Sequence, residues 1–269
     1  MSGRGNGGFA AFMAAVFLLL GIVVSYVNSN VYDSGNFANN SLQALDDGAV
    51  RGEISKEIAN ALVPPGSVAA GQADAAFSAA SDRLFENAGF RTIVRTGVGA
   101  LHDSVFDRDA NAVGVQLAGV GEPVRAALQS SAPALAAQVP ADASVTIFDG
   151  DPPAALLDVT QAGEKVRFVG IALLAAAALM ALIALAIARF RSVALSTFGI
   201  TLAVGAVLLV AGMLALKALL LGTINDNSGL EDALSGVWSA FFGSLQTELI
   251  VLAVAGVAIP IATRLIRTR

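Results

Sequence analysis

The 269-residue sequence predicts a mainly α-helical protein in two parts: a four-helix transmembrane bundle, and a mostly helical extracytoplasmic domain with a small two-stranded β element. Three observations carry that expectation. Asp and Glu are missing before Asp33, between Glu164 and Asp226, and after Glu248. The chain is 55% hydrophobic and 14% charged, with a mean hydropathy of +0.70, against roughly 25% charged in an ordinary soluble domain. Arginines flank the apolar runs at Arg4, Arg189 and Arg191, and Arg264, Arg267 and Arg269. A charged side chain at the bilayer centre costs at least a few kcal/mol, so apolar stretches purged of carboxylates read as lipid-embedded helices.

Residues 1–8 form a short basic leader, and residues 9–28 an uncharged first span. A signal peptide shares this pattern. The apolar run is long for one, however, and Tyr26-Val27-Asn28-Ser29 lacks a small-x-small cleavage site, so the segment reads as a retained helix. The second span covers residues 166–188 and the third residues 193–221, with a tight hairpin at 189–192 between them. Residues 222–240 read as an external loop carrying an amphipathic helix with Leu230, Leu234, Val237, Trp238 and Phe241 on its apolar side, followed by a fourth span at 241–263 and a tail at 264–269. With four spans the arginine clusters share one side, while the loop from Gly222 to Asp232 has no basic residue and three acids. Lys and Arg favour the cytoplasmic side, so both termini are expected inside and residues 29–165 outside.

Residues 29–165 are long enough for an independent domain and hold 17 acidic against 8 basic residues. That balance argues against nucleic acid or anionic lipid as its partner. Without cysteine there is no disulfide, thiolate metal site or Cys nucleophile. An apolar stripe at Val50, Ile54, Ile58 and Leu62 predicts a helix beginning at Asp46-Asp47 and ending at Pro64-Pro65-Gly66. Two more helices are expected over 72–87 and 91–106. Alternation predicts strands at 112–117 and 144–148, and the roughly 25 residues between them, helical near 123–129, suit a parallel crossover. An amphipathic segment over 153–166 leads into the second span.

The first span followed by Val31-Tyr32-Asp33 and Phe37, the Leu42-to-Leu62 region, Ala100-Leu101-His102 on its helix, the strand Val113-Gly114-Val115-Gln116-Leu117 and the closing triple span together resemble a group of uncharacterised actinobacterial four-pass membrane proteins. The resemblance covers most of the chain. It implies the same topology and no activity.

No residue set forms a catalytic signature. Glu248 is the most informative single position. If the fourth helix starts near Trp238, Glu248 lies about 15 Å deep on a 1.5 Å rise, where a carboxylate marks an ion pathway, with Gln246 and Thr247 as polar neighbours and Lys217 as a possible partner. The favoured reading sets Glu248 at the outer mouth of a short or tilted span and lets Lys217 snorkel. Gly199, Gly205, Gly212 and Gly256 suit close helix packing, as do Ala177, Ala181 and Ala184, while Pro260 is placed to kink the fourth helix. His102, the sole histidine, reads as a packing residue. Asp103, Asp107, Asp109 and Asp149-Gly150-Asp151 read as solvated acids or caps, since they lack the spacing of a calcium loop. Gly97-Val98-Gly99 lies inside a helical pattern and is no phosphate loop.

The sequence therefore leads to no cofactor, metal or nucleic acid. It leads to a non-enzymatic scaffold or assembly protein in the lipid bilayer, whose outward domain meets an envelope protein or another copy of itself. The alternative is an oligomeric ion channel or a proton- or cation-coupled transporter.

Overall fold

The computed structural model describes residues 6–62, 70–106, 113–150, 163–188, 191–222 and 228–267. Among these, helices α1 (Asn6–Val27), α2 (Ser34–Ala44), α3 (Gly48–Leu62), α4 (Ala70–Glu86), α5 (Ala88–Phe106), α6 (Gly121–Leu128), α7 (Pro133–Ala136), α8 (Gly163–Ile187), α9 (Arg191–Gly222) and α10 (Ser228–Arg267) account for nearly all of the structure. One π-helical turn, Asn28–Tyr32, follows α1, and strands β1 (Val113–Ala118) and β2 (Ser144–Gly150) form the sheet. The segments proposed at 64–66 and across most of 153–166, and the residues Asp107, Asp109 and Asp151, lie outside the described residues.

The chain divides into two compact units. The first comprises Met1–Ser29, Ala162–Leu220 and Phe242–Arg269; the second comprises Asn30–Gln161 and Leu221–Phe241.

The first unit is a helical bundle. Four helices are long and apolar enough to cross a membrane, at Gly7–Tyr32, Lys165–Ile187, Arg191–Gly222 and Ser228–Leu265. Its surface is as apolar as its interior: Leu182, Leu208 and Val254 are 65%, 66% and 66% exposed. Apart from Leu230 and Leu234, every strongly exposed large hydrophobic among the described residues lies in this unit. So many exposed large hydrophobics are the mark of a membrane or protein interaction surface.

Small residues let these helices approach. Helices α1 and α8 run antiparallel in one register: a Cβ added to Gly7 would come within 3.2 Å of the Ala188 backbone, one at Gly21 within 2.8 Å of the Leu174 side chain, and one at Gly170 within 2.9 Å of Ser25 Oγ. Ala11, Ala177 and Ala184 are buried in this unit. Helices α9 and α10 meet backbone to backbone. A Cβ on Gly199 would lie 2.6 Å from the Gly256 carbonyl oxygen, and one on Gly256 would lie 2.6 Å from the Gly199 carbonyl oxygen. Pro260 has no N–H to bond the carbonyl four residues earlier, which is that of Gly256. The freed oxygen points at Gly199, and Pro260 Cδ would be 3.0 Å from the same added Cβ. The α-hydrogens of the two glycines occupy this space, an arrangement suited to reciprocal Cα–H···O contacts.

The second unit is built around Phe77, Phe85 and Phe90, each at most 2% exposed. Phe85 and Phe90 meet edge to face with ring centroids 5.2 Å apart. Side-chain caps begin its helices: Asp33 Oδ1 accepts from the Asn36 amide at 2.8 Å, Asp47 Oδ1 from the Ala49 amide at 2.9 Å, and Asn87 Oδ1 from the Phe90 amide at 3.1 Å. These contacts satisfy N–H groups that have no partner within the helix. Arg51 and Asp82 tie α3 to α4 at 2.7 Å.

Two expectations are corrected. The strands pair antiparallel, not by a parallel crossover: Val113 faces Gly150 and Ala118 faces Ser144, with a bulge that leaves Ile147 out of register between Val115 and Gln116. The 25 connecting residues run through α6 and α7 and share one core with the strand residues Leu117 and Val145. Gly119, at φ 77°, turns the chain into α6, α6 packs on α4, and α7 and the Pro140–Ala143 turn then reverse the chain. The loop helix and the fourth span are not separate elements either. They form one 40-residue helix, because no proline or cap interrupts residues 228–259. Its early residues Ala233, Val237 and Ala240 pack into the core of the second unit.

The glycine crossing yields a test. Gly199→Ala and Gly256→Ala are each expected to destabilise the bundle by about 1–3 kcal/mol through overpacking. Gly212→Ala, where an added Cβ meets nothing within 4 Å, should stay within about 0.5 kcal/mol. Thermal melts of the purified protein in mild detergent read the difference, and equal effects at all three positions would contradict the crossing.

Candidate functional site

The second unit contains a cavity of about 620 Å³. It forms where α2, α3 and α5 converge with both strands and the early part of α10. Leu45, Ile54, Ile58, Val94, Val98 and Phe241 supply much of its wall. The polar lining comes from Ser41, Glu53, Glu57, Asn60 and Thr146. The Ser41 hydroxyl is committed, donating to the Phe37 carbonyl at 2.9 Å. Glu53 and Glu57 stand one turn apart on α3. The Glu53 side chain is 19% exposed, and its Oε1 lies 3.5 Å from Lys56 Nζ. Paired strand residues Leu117 and Val145 are buried on the cavity side of the sheet. The result is an apolar recess with two carboxylates.

Sequence reasoning did not anticipate this cavity. The stripe from Val50 to Leu62 was legible as a helix face, but that face does not all enter core. Ile58 is 2% exposed, whereas Ile54 is only partly buried and lines the cavity. The pairing of Glu53 with Glu57 beside that stripe was the available signal.

His102 serves packing. It is 4% exposed, Nε2 lies 2.9 Å from the Val31 carbonyl oxygen, and Nδ1 lies 3.5 Å from Asp103 Oδ1. Its ring sits between Phe106, at 4.4 Å between centroids, and Phe37, at 5.1 Å; Phe37 in turn meets Phe241 at 5.1 Å. Val31 belongs to the π-helical turn, so the histidine links that turn to α5. A second, polar recess of about 360 Å³ between α2 and α5 contains Arg91 and Arg95. Arg91 pairs with Asp46 at 3.1 Å and also donates to the Phe85 and Leu42 carbonyls, while Arg95 donates to Asn39 Oδ1 at 3.2 Å. These guanidinium groups clamp α2 to α5.

The candidate ion-pathway residues do not converge. Gly199 and Gly256 lie opposite each other, so Glu248, eight residues before Gly256, is level with Val207, about 24 Å along the axis from Arg191. A hydrocarbon slab of about 30 Å measured from those arginines ends near Ser244, whose hydroxyl is hydrogen-bonded to that of Tyr26. Glu248 stands one turn beyond Ser244 on α10. Lys217 lies about 15 Å further along α9 than the level of Glu248. Thr247 Oγ1 donates to the Gly243 carbonyl of its own helix at 3.0 Å. Glu248 and Thr247 are exposed and Gln246 is half-buried. Of the glycines, Gly205 faces the Leu19 side chain and Gly212 faces open space. Among the described residues, no group of three His, Asp or Glu is arranged to hold a metal ion.

His102→Ala is expected to lower the stability of the second unit by about 1–3 kcal/mol, the cost of losing the hydrogen bond to the part-buried Val31 carbonyl and the packing of the buried ring, while leaving occupancy of the cavity unchanged. Limited proteolysis of the full chain across a temperature series measures the first effect. An unaltered melting profile would contradict the link.

Protein-family models, curated proteins and solved structures were compared with the chain and none matches, so the site itself carries the functional reading.

Proposed function

We propose that this is a membrane-anchored, non-enzymatic binding protein, with its arginine clusters in the cytoplasm and its acidic domain outside the cell, and that the domain takes an apolar ligand into its cavity. The cavity is the observation that carries the reading. An open recess of about 620 Å³ with a mainly apolar wall falls within the range of small-molecule sites. The arginine bias of the short connections supports the orientation. The chemistry around the cavity supports binding over catalysis, because the sole histidine is spent on Val31 and its aromatic neighbours.

The competing reading is an oligomeric conduction path through Glu248. Within one chain, the buried bundle positions near it are Ala15, Leu19, Leu202, Ala206, Leu245 and Leu249. Among the described residues these buried positions are all apolar, so conduction would have to run between copies.

A neutral fatty alcohol carrying a photoreactive diazirine, added to the full chain in phosphatidylcholine nanodiscs, tests the binding reading. Crosslinks are expected on α3 and α5 peptides as well as on the spans, with the α3 and α5 crosslinks reduced at least about tenfold by Val98→Trp. Labelling confined to the four spans would overturn it.

A further inference from the structure

We infer that the cavity's ligand is a cationic amphiphile, an apolar body carrying a protonated amine, with its chain among Ile54, Ile58 and Val94 and its head between Glu53 and Glu57. This rests on the reading of the cavity as a ligand site. The two carboxylates line the same cavity from consecutive turns of α3. Like charges at this spacing destabilise a helix, so α3 bears a local cost that a cation between them removes. Among the described residues, no strong ion pair neutralises either carboxylate. The one ion pair of Glu53 is a 3.5 Å contact with Lys56, whose side chain is half exposed, and no salt bridge engages Glu57 among the described residues. The surrounding field has the same sign, since residues 29–165 carry 17 acids against 8 bases. An anionic head, such as that of a fatty acid, meets repulsion both at the mouth and at long range. Glu53, whose side chain is 19% exposed, favours a cation more strongly than a carboxylate in bulk water does, while Glu57 is exposed and adds its charge from the same face of α3. Among chain-bearing ligands of one length, the amine is therefore selected over both the alcohol and the acid.

The test is competition. The full chain in neutral phosphatidylcholine nanodiscs is photolabelled with the diazirine fatty alcohol at pH 7, against dodecylamine, dodecanol and dodecanoic acid, and crosslinks on α3 and α5 are quantified. Dodecylamine is expected to displace the label at least about tenfold more effectively than dodecanoic acid, and Glu53→Gln with Glu57→Gln is expected to erase that preference while labelling persists. Equal displacement by amine and acid, or a preference unmoved by the double variant, overturns the assignment of the head group and leaves the cavity reading standing. Absence of α3 and α5 labelling from the wild-type chain overturns both. Retained labelling in the double variant shows that the cavity is still formed, which separates lost selectivity from lost fold.

Discussion

The cost of desolvating a carboxylate orders this chain. An ionised side chain in hydrocarbon loses its hydration and gains no compensating partner unless the protein supplies one, so acids are confined to segments that meet water and the remaining stretches become spans. The distribution in the folded protein follows that rule closely. Among the described residues, the strongly exposed Leu, Val and Ile side chains lie on the bundle, and Leu230 and Leu234 are the strongly exposed large hydrophobics of the second unit. Glu248 lies in the apolar part of α10, a turn from the Tyr26 and Ser244 hydroxyl pair, close enough for its side chain to reach polar groups.

Lipid removes much of the hydrophobic drive for helices to associate, which leaves packing and weak polar contacts to hold the bundle together. That accounts for the value of Gly199 and Gly256. Their reciprocal approach depends on Pro260, which frees the Gly256 carbonyl and presses its own ring edge onto Gly199. In the acidic domain the balance is different. Three buried phenylalanines, side-chain caps on α2, α3 and α5, and the Arg51 and Arg91 ion pairs are the devices of a water-soluble fold.

Much of this architecture was legible in the sequence, for physical reasons that also mark where legibility stopped. Spans and caps are local: a long run without acids, or Asp47 ahead of an apolar stripe, carries its meaning in a short window. The orientation of β1 and β2 is not local. A connection of 25 residues permits either direction, and the choice came from α6 packing on α4, a contact between distant parts of the chain. In the sequence Val237 and Phe241 suit an interfacial face, because an apolar helix stripe looks the same whether lipid or protein covers it; in the structure both line the cavity. Spacing could not separate Gly199, which meets a backbone, from Gly212, which meets open space. The cavity was the least legible feature, since a void is defined by side chains that fail to meet, and no residue pattern encodes that.

The division of charge across the membrane is the central claim, and cysteine accessibility tests it directly because the chain has no native cysteine. Single cysteines at Ala126, exposed on α6, and at Ser192, beside Arg191, would be challenged with a membrane-impermeant maleimide on intact cells and again after permeabilisation. With the acidic domain outside, Ala126→Cys labels on intact cells and Ser192→Cys only after permeabilisation. The reverse pattern, or labelling of both on intact cells, would contradict the account.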